Sequence, residues 1–112
     1  MRFLFSLFLS FFTIYTLSSS SSFAQEIDLD EGEQVFSQNC AACHAGGNNS
    51  VNPKKSLKLN DLNTYSKNSF EKIKYQVENG AGQMPPFSGH LSDEEISNVA
   101  HFVLSQAKNE LW

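Results

Sequence analysis

The feature that most constrains this 112-residue chain is the motif Cys40-Ala41-Ala42-Cys43-His44, which contains both of its cysteines. Two thiols three positions apart can each add to one vinyl group of a haem, and the adjacent histidine is placed to bind the iron. The motif therefore predicts one covalently bound haem c, attached through Cys40 and Cys43 and ligated by His44. A small domain that carries this cofactor has to fold as a shell around it.

Three other interpretations of the two cysteines compete with haem attachment. They are a disulfide between Cys40 and Cys43, a thioredoxin-like redox pair, and half of a zinc site. A zinc site needs a second Cys or His pair at ligand spacing, which the chain lacks. A redox pair of this kind needs alternating strands and helices around the motif, and the flanking pattern is helical. The motif, together with the export signal described below, favours covalent haem.

The second axial position of such a haem needs a thioether or imidazole donor from the downstream chain. Met84, His90 and His101 are the available residues. Met84 lies in the loop of residues 80–87, where two following prolines restrict the backbone and can hold the thioether in one place. His90 is the alternative for a bis-histidine haem, whereas His101 lies off the apolar face of a predicted helix. The sequence predicts Met84 as the ligand.

Hydrophobic periodicity predicts an all-α fold of about four helices wrapped around the haem, with no convincing strand. Asp28 or Asp30 is expected to cap the first helix, which delivers the cysteine motif at its C-terminal end. The inner face of this helix is expected to carry Leu29, Gly32, Val35, Phe36 and Cys40.

Turns and caps divide the rest of the chain into loops and three further helical segments. They are, in order, a turn at 46–50, an irregular loop at 51–58, a short helical turn near 61–65, a helix from Asn68 or Ser69 to Gly80, and a helix from the Ser92–Glu95 capping box toward Lys108. Serine at the start and glycine at the end are residues that helix termini favour.

The first 24 residues have the pattern of a cleaved secretory signal. Arg2 precedes an uncharged run of 15 residues at 3–17, and a serine-rich stretch leads to a cleavage site after Ala24. The run is shorter than the about 20 residues needed to span a bilayer, so an uncleaved anchor is the weaker alternative. We expect residues 1–24 to be removed and residues 25–112 to form one domain with no stable membrane anchor.

The charge of the expected mature chain restricts its partners. Residues 25–112 contain seven lysines and twelve acidic side chains, which give a formal charge of −5 and argue against nucleic acid as a partner. Lys54, Lys55 and Lys58 form a local basic cluster in the loop expected beside the haem. Lys55 is the candidate there for partner docking or for pairing with a haem propionate.

On these residues the chain resembles the class I c-type cytochromes, and among them the cytochrome c6 family. The resemblance extends over residues 25–112 and is carried by Asp30-Glu31-Gly32, Cys40 to Asn49, Lys55-Ser56-Leu57-Lys58, Tyr75-Gln76-Val77, Met84-Pro85 and Val103 to Gln106. It implies the small class I cytochrome c fold, thioether bonds at Cys40 and Cys43, and a low-spin haem with axial ligands His44 and Met84. It also implies that the first and last helices cross, with Gly32 and Phe36 against Phe102.

The resemblance further implies a soluble, monomeric electron carrier that is not an enzyme. Such a carrier takes an electron from cytochrome f of the cytochrome b6-f complex and delivers it to photosystem I. The implied location is the thylakoid lumen, in an algal plastid or, alternatively, in a cyanobacterial lumen or periplasm. The alternative function is a periplasmic c-type cytochrome that donates electrons to a respiratory oxidase.

The chain departs from the family pattern near the predicted methionine ligand. His90 stands where members often carry an arginine that helps docking on photosystem I, which predicts weaker or pH-sensitive docking. Gln83 replaces a small residue and Pro86 a common alanine, so we expect a stiffer methionine loop. Neither change removes a predicted ligand.

Overall fold

The computed structural model describes residues 26–112, and the predicted signal at residues 1–24 lies outside them. The described residues form α1 (Leu29–Asn39), α2 (Ala41–His44), a 3-10 turn (Ala45–Gly47), α3 (Leu59–Thr64), α4 (Phe70–Asn79) and α5 (Asp93–Lys108). Within 26–112 there is no β-strand, which confirms the all-α prediction. No helix in this part of the chain is both long enough and apolar enough to cross a membrane.

The helix starts follow the predicted caps. Asp28, Ser69 and Ser92 each accept a hydrogen bond from the backbone N–H three residues later, at 3.0, 3.2 and 3.1 Å. The Glu95 carboxylate accepts the reciprocal bond from the Ser92 N–H at 3.0 Å and completes the capping box. Each cap satisfies a backbone donor that the helix itself leaves without a partner.

Helices α1 and α5 cross at Gly32, as the family resemblance implies. A Cβ atom added to this glycine would overlap the Asn98 carbonyl and lie 2.8 Å from the Cβ of Phe102. The missing side chain therefore lets the two helix backbones come close together. Next to the crossing, the Phe36 and Phe102 rings pack with centroids 5.5 Å apart.

The buried side chain of Asn98 holds the same crossing by hydrogen bonds. Its Oδ1 accepts a bond from the Asp28 N–H at 3.0 Å, and its Nδ2 donates to the Glu31 carboxylate at 3.0 Å. Asn98 is only 1% exposed, so these bonds compensate the cost of burying its amide.

Two details of α1 differ from the prediction. The helix ends at Asn39, so Cys40 is its C-cap and the haem motif forms a separate short helix, α2. Leu29 is 43% exposed, because it lies in the first turn, before the crossing at Gly32. The buried residues of α1 are Gly32, Val35 and Phe36.

Candidate haem site

A cavity of about 860 Å³ lies inside the helical shell and brings all four predicted site residues together: Cys40, Cys43, His44 and Met84 line it. Most of the remaining wall is apolar and includes Phe36, Leu57, Leu62, Ile73, Val77, Phe87, Val99 and Val103. Protein interiors are close-packed, with few voids larger than a water molecule. A largely apolar cavity of this size therefore matches a bound prosthetic group.

The cysteine motif presents its reactive groups from one helical turn. The backbone N–H groups of Cys43 and His44 both donate to the Cys40 carbonyl, at 3.2 and 2.9 Å. Residues three and four positions apart share a helix face. This turn consequently points both sulfurs and the imidazole into the same cavity.

Burial raises the pKa of the Cys40 thiol to about 11. A thiol of this kind stays protonated at neutral pH, whereas a thioredoxin-like pair depends on a cysteine with a lowered pKa. No disulfide joins Cys40 to Cys43. The environment of Cys40 therefore argues against the redox-pair interpretation and leaves both sulfurs available for thioether bonds.

A backbone carbonyl fixes the orientation of the His44 imidazole. Its Nδ1 lies 2.9 Å from the Asn48 carbonyl oxygen. Because a carbonyl only accepts, Nδ1 carries the proton and Nε2 keeps its lone pair for a metal ion. A second bond, from the Ser50 N–H to the Cys43 carbonyl at 3.0 Å, ties the following loop to the motif.

Met84 sits in a loop that backbone hydrogen bonds hold closed. The Ala81 N–H donates to the Met84 carbonyl at 3.1 Å, and the Met84 N–H donates to the Ala81 carbonyl at 3.0 Å. Gly80 begins the loop at φ +66, where an added Cβ would overlap the Met84 carbonyl. The thioether is half-buried and lines the cavity, as a metal ligand there requires.

The two alternative histidines lie elsewhere. His90 is exposed and outside the cavity wall, and His101 stacks on the Phe70 ring with centroids 4.0 Å apart. Desolvation lowers the pKa of His101, against the opposing effect of the Glu71 charge. Of the three donors considered from the sequence, Met84 is the one that lines the cavity.

Sequence reasoning missed Gln76, which donates from Nε2 to the Met84 sulfur at 3.8 Å. A signal for it was present, because Gln76 lies three residues after Ile73 and therefore on the inner face of α4. Of the predicted basic cluster, Lys55 lines the cavity, whereas Lys54 and Lys58 do not. The ammonium of Lys55 lies 5.2 Å from the centroid of the Tyr65 ring.

The chain is similar to known proteins in sequence and in fold. Residues 27–103 match the family described as Cytochrome C oxidase, cbb3-type, subunit III. The chain is 49% identical to cytochrome c6 of Gracilaria tenuistipitata var. liui over 97% of this chain and 98% of that protein. It is 50% identical to cytochrome c6 of Pyropia yezoensis over 94% of this chain and 91% of that protein. The structure is similar to that of cytochrome c6 from the diatom Phaeodactylum tricornutum, with a TM-score of 0.72 and 48% identity over 73% of this chain and 97% of that chain.

Proposed function

Because the chain belongs to the cytochrome c6 family, we propose that it carries single electrons from cytochrome f of the cytochrome b6-f complex to photosystem I. The protein carries one covalently bound haem c and is an electron-transfer protein, not an enzyme. The observation that most directly supports this function is the cavity at which the Cys40–His44 turn and Met84 meet.

We propose that Cys40 and Cys43 form the two thioether bonds and that His44 and Met84 are the axial ligands. The bound haem supplies a one-electron couple at its iron. His44 offers Nε2, because its Nδ1–H is donated to Asn48, and the hydrogen-bonded loop holds the Met84 sulfur at the cavity. With His44 and Met84 both holding the bound group, no ligand position would be left for oxygen, peroxide or a substrate, and the site would support one-electron transfer without bond chemistry.

We propose that partners dock beside Lys55 and Lys67, which both line the cavity. These two positive charges stand on a chain whose residues 25–112 have a formal charge of −5. A partner with acidic groups around its electron-transfer site would therefore be oriented toward the cavity and away from the rest of the surface.

The proposed place of action is the thylakoid lumen. Residues 1–24 would direct export to it and would then be removed. The mature protein would act there as a monomer. Relatives in algae and in the cyanobacterium Picosynechococcus support this location. An algal plastid is the proposed source of the lumen, and a cyanobacterial lumen or periplasm is the alternative.

A second candidate function is electron donation to a respiratory oxidase. The observation that favours it is the match of residues 27–103 to a family named after an oxidase subunit. Both functions use the same one-electron chemistry at the same site, and they differ only in the partner that accepts the electron.

Flash-induced oxidation of the reduced protein by isolated photosystem I tests the proposed function. We expect fast, saturable oxidation that slows as ionic strength rises, because docking depends on Lys55 and Lys67. Lys55→Gln should slow this oxidation. Lys54→Gln is its matched control and should not, because Lys54 does not line the cavity. Slow oxidation at every salt concentration, with the haem intact and with rapid oxidation by an oxidase, would assign the chain to the second function.

The same assay tests the contribution of His90 to docking. We expect His90→Arg, which adds a permanent positive charge at this exposed position, to be oxidised faster than the wild-type protein. His90→Gln, which carries no charge, is the control for the change of side chain. Equal rates in all three proteins would show that this position does not contribute to docking.

A further inference from the structure

We propose that Trp112 is a positioning residue for the haem, acting through the loop that orients His44. This inference rests on the proposed ligation by His44 and adds to it a residue that lies outside the cavity wall. The indole joins the two ends of the loop of residues 48–56, which borders the cavity, to the crossing of α1 and α5.

The first contact is with the start of the loop. A Cβ atom added to the buried Gly47 would overlap the Trp112 ring, so the indole lies directly against the backbone of residue 47. Gly47 has φ +77, a conformation that side chains other than glycine rarely adopt. The absence of a side chain at residue 47 thus gives the indole its place.

The second contact is with the end of the loop. The Trp112 Nε1–H donates to the Leu57 carbonyl at 3.1 Å. The Leu57 N–H in turn donates to the Gly47 carbonyl at 2.7 Å. Gly47 and Leu57 are therefore hydrogen-bonded to each other, and both contact the indole of Trp112. Together these contacts close the base of the 48–56 loop.

The indole is itself held by the core. Its ring centroid lies 5.3 Å from that of Phe36 and 6.1 Å from that of Phe102. These two phenylalanines are the residues that pack beside the α1–α5 crossing. Aromatic contacts of this kind bury large areas in defined orientations, so the loop base is fixed relative to the two longest described helices.

The link to the haem runs through one carbonyl group. Asn48 follows Gly47, and its carbonyl is the group that accepts the His44 Nδ1–H at 2.9 Å. Such a hydrogen bond fixes the ring and increases the donor strength of a metal-bound imidazole, which favours the ferric state. If the loop base loosens, this bond lengthens, the imidazole becomes a weaker donor and the ferrous state is favoured.

The experiment compares the haem-containing wild-type protein with Trp112→Phe, which keeps an aromatic ring but loses the Nε1–H, and Trp112→Ala. We expect the preference of the site for ferric over ferrous iron to fall about tenfold in the alanine variant, on the order of the smallest effects that outer-shell partners have on metal affinity. For one electron this is a rise in reduction potential of about 59 mV. Exchange of the His44 Nδ1 proton in the ferrous protein should accelerate in parallel, with the phenylalanine variant in between.

Two controls separate positioning from general destabilisation. Leu111→Ala changes an exposed neighbour of Trp112, and Ile96→Val reduces a buried residue of α5 that does not line the cavity. Both should leave the potential and the His44 exchange rate unchanged, although Ile96→Val lowers stability. If Trp112→Phe and Trp112→Ala lower stability but move neither the potential nor the exchange rate, Trp112 is only a structural residue.

A parallel measurement on His44→Ala shows which proposal has failed. If His44 is the ligand, this variant loses the low-spin spectrum expected of the wild-type protein, and a negative result at Trp112 then overturns the positioning role alone. If His44→Ala keeps that spectrum, the proposed ligation is wrong and the positioning role is overturned with it.

Discussion

At the scale of single residues, a substitution at Met84 distinguishes an electron carrier from a haem protein with an open coordination position. Met84→Ala removes the proposed thioether ligand and should open a coordination position to carbon monoxide. We also expect the reduction potential to fall by on the order of 100 mV, within the ~0.8 V range over which axial ligands set potentials. Absorption spectra with and without carbon monoxide provide the measurement.

The matched control is Gln83→Ala, which truncates the adjacent cavity-lining residue and supplies no ligand. This variant should keep the wild-type spectrum and resist carbon monoxide. If Met84→Ala also keeps the wild-type spectrum, Met84 is not the ligand, and the donor has to be sought elsewhere in the chain.

Gln76 allows a finer test of the same ligand. Its Nε2–H donates to the Met84 sulfur, and a donor on the thioether withdraws electron density from the iron and favours the ferrous state. Gln76→Leu should therefore lower the potential. A net hydrogen bond of about 0.5–1.5 kcal/mol corresponds to about 20–60 mV for one electron. Voltammetry would contradict this account if the potential rose or did not change.

The residues brought to the cavity were predictable to different extents. Cys40, Cys43 and His44 fall within one helical turn, so their spacing along the chain already places them together. Met84 could be selected because few other donors exist downstream. Trp112 could not be placed, since its partners Gly47 and Leu57 are 65 and 55 residues away in sequence, and no local pattern encodes such a contact.

At the scale of helices, Gly32 determines how closely α1 and α5 approach. Gly32→Ala would gain up to about 1 kcal/mol of helix propensity, but the added Cβ would overlap the Asn98 carbonyl. Because that neighbour is backbone, we expect a net loss of about 1–3 kcal/mol in the free energy of unfolding. Urea unfolding of the haem-containing protein measures it.

Ser37→Ala is the control for Gly32→Ala, because Ser37 is exposed on the same helix. It should change the free energy of unfolding by less than about 0.5 kcal/mol. A Gly32→Ala protein as stable as the wild type would mean that the helices can separate at no cost, and that the crossing does not require glycine.

The contact between α4 and α5 predicts a pH dependence of stability. His101 stacks on Phe70, and the other charges around this contact are Glu71, Lys74 and Asp93, of which the last two form an ion pair at 3.1 Å. Desolvation lowers the pKa of His101 in the folded state. The unfolded chain therefore takes up its proton at a higher pH than the folded protein does, and stability falls as the pH drops below about 6.5.

His101→Gln checks this sign. At pH 8 the variant should be less stable than the wild type. At this pH His101 is uncharged in both the folded and the unfolded wild-type chain, so the difference reflects only the lost stacking on Phe70. The difference in melting temperature between the two proteins should narrow as the pH is lowered toward 5. Only the wild type has a histidine at residue 101 whose protonation favours the unfolded state. A difference that stays constant with pH would show that His101 does not contribute to the pH dependence.

The starts of the helices were predictable from the sequence where a capping residue is present. Helices α1, α4 and α5 begin at capping side chains that were predicted, and each cap makes its bond in the structure. Helix α3 begins at Leu59, earlier than predicted, and its N-cap Lys58 makes no side-chain cap bond. Without a capping residue, the start of this helix depends on tertiary contacts that periodicity does not reveal.

At the scale of the whole molecule, the cavity and the fold depend on each other. The buried part of the cavity wall, which includes Leu62, Ile73 and Val77, borders about 860 Å³ that no side chain fills. Apolar surface that faces water loses the burial that stabilises a fold, and a domain of this size has a total stability of only about 5–15 kcal/mol. The wall therefore needs a group to pack against.

The chain without haem should therefore lose its cooperative fold. The double variant Cys40→Ser/Cys43→Ser removes both thioether bonds at little cost in volume, and the haem-attached wild-type chain is its control. We expect reduced helical circular dichroism, no near-ultraviolet signal and no cooperative thermal transition, because the apolar wall is left facing water. A variant that contains no haem and still melts cooperatively, with full helix content, would show that the side chains alone form the core. The cofactor would then not be required for folding.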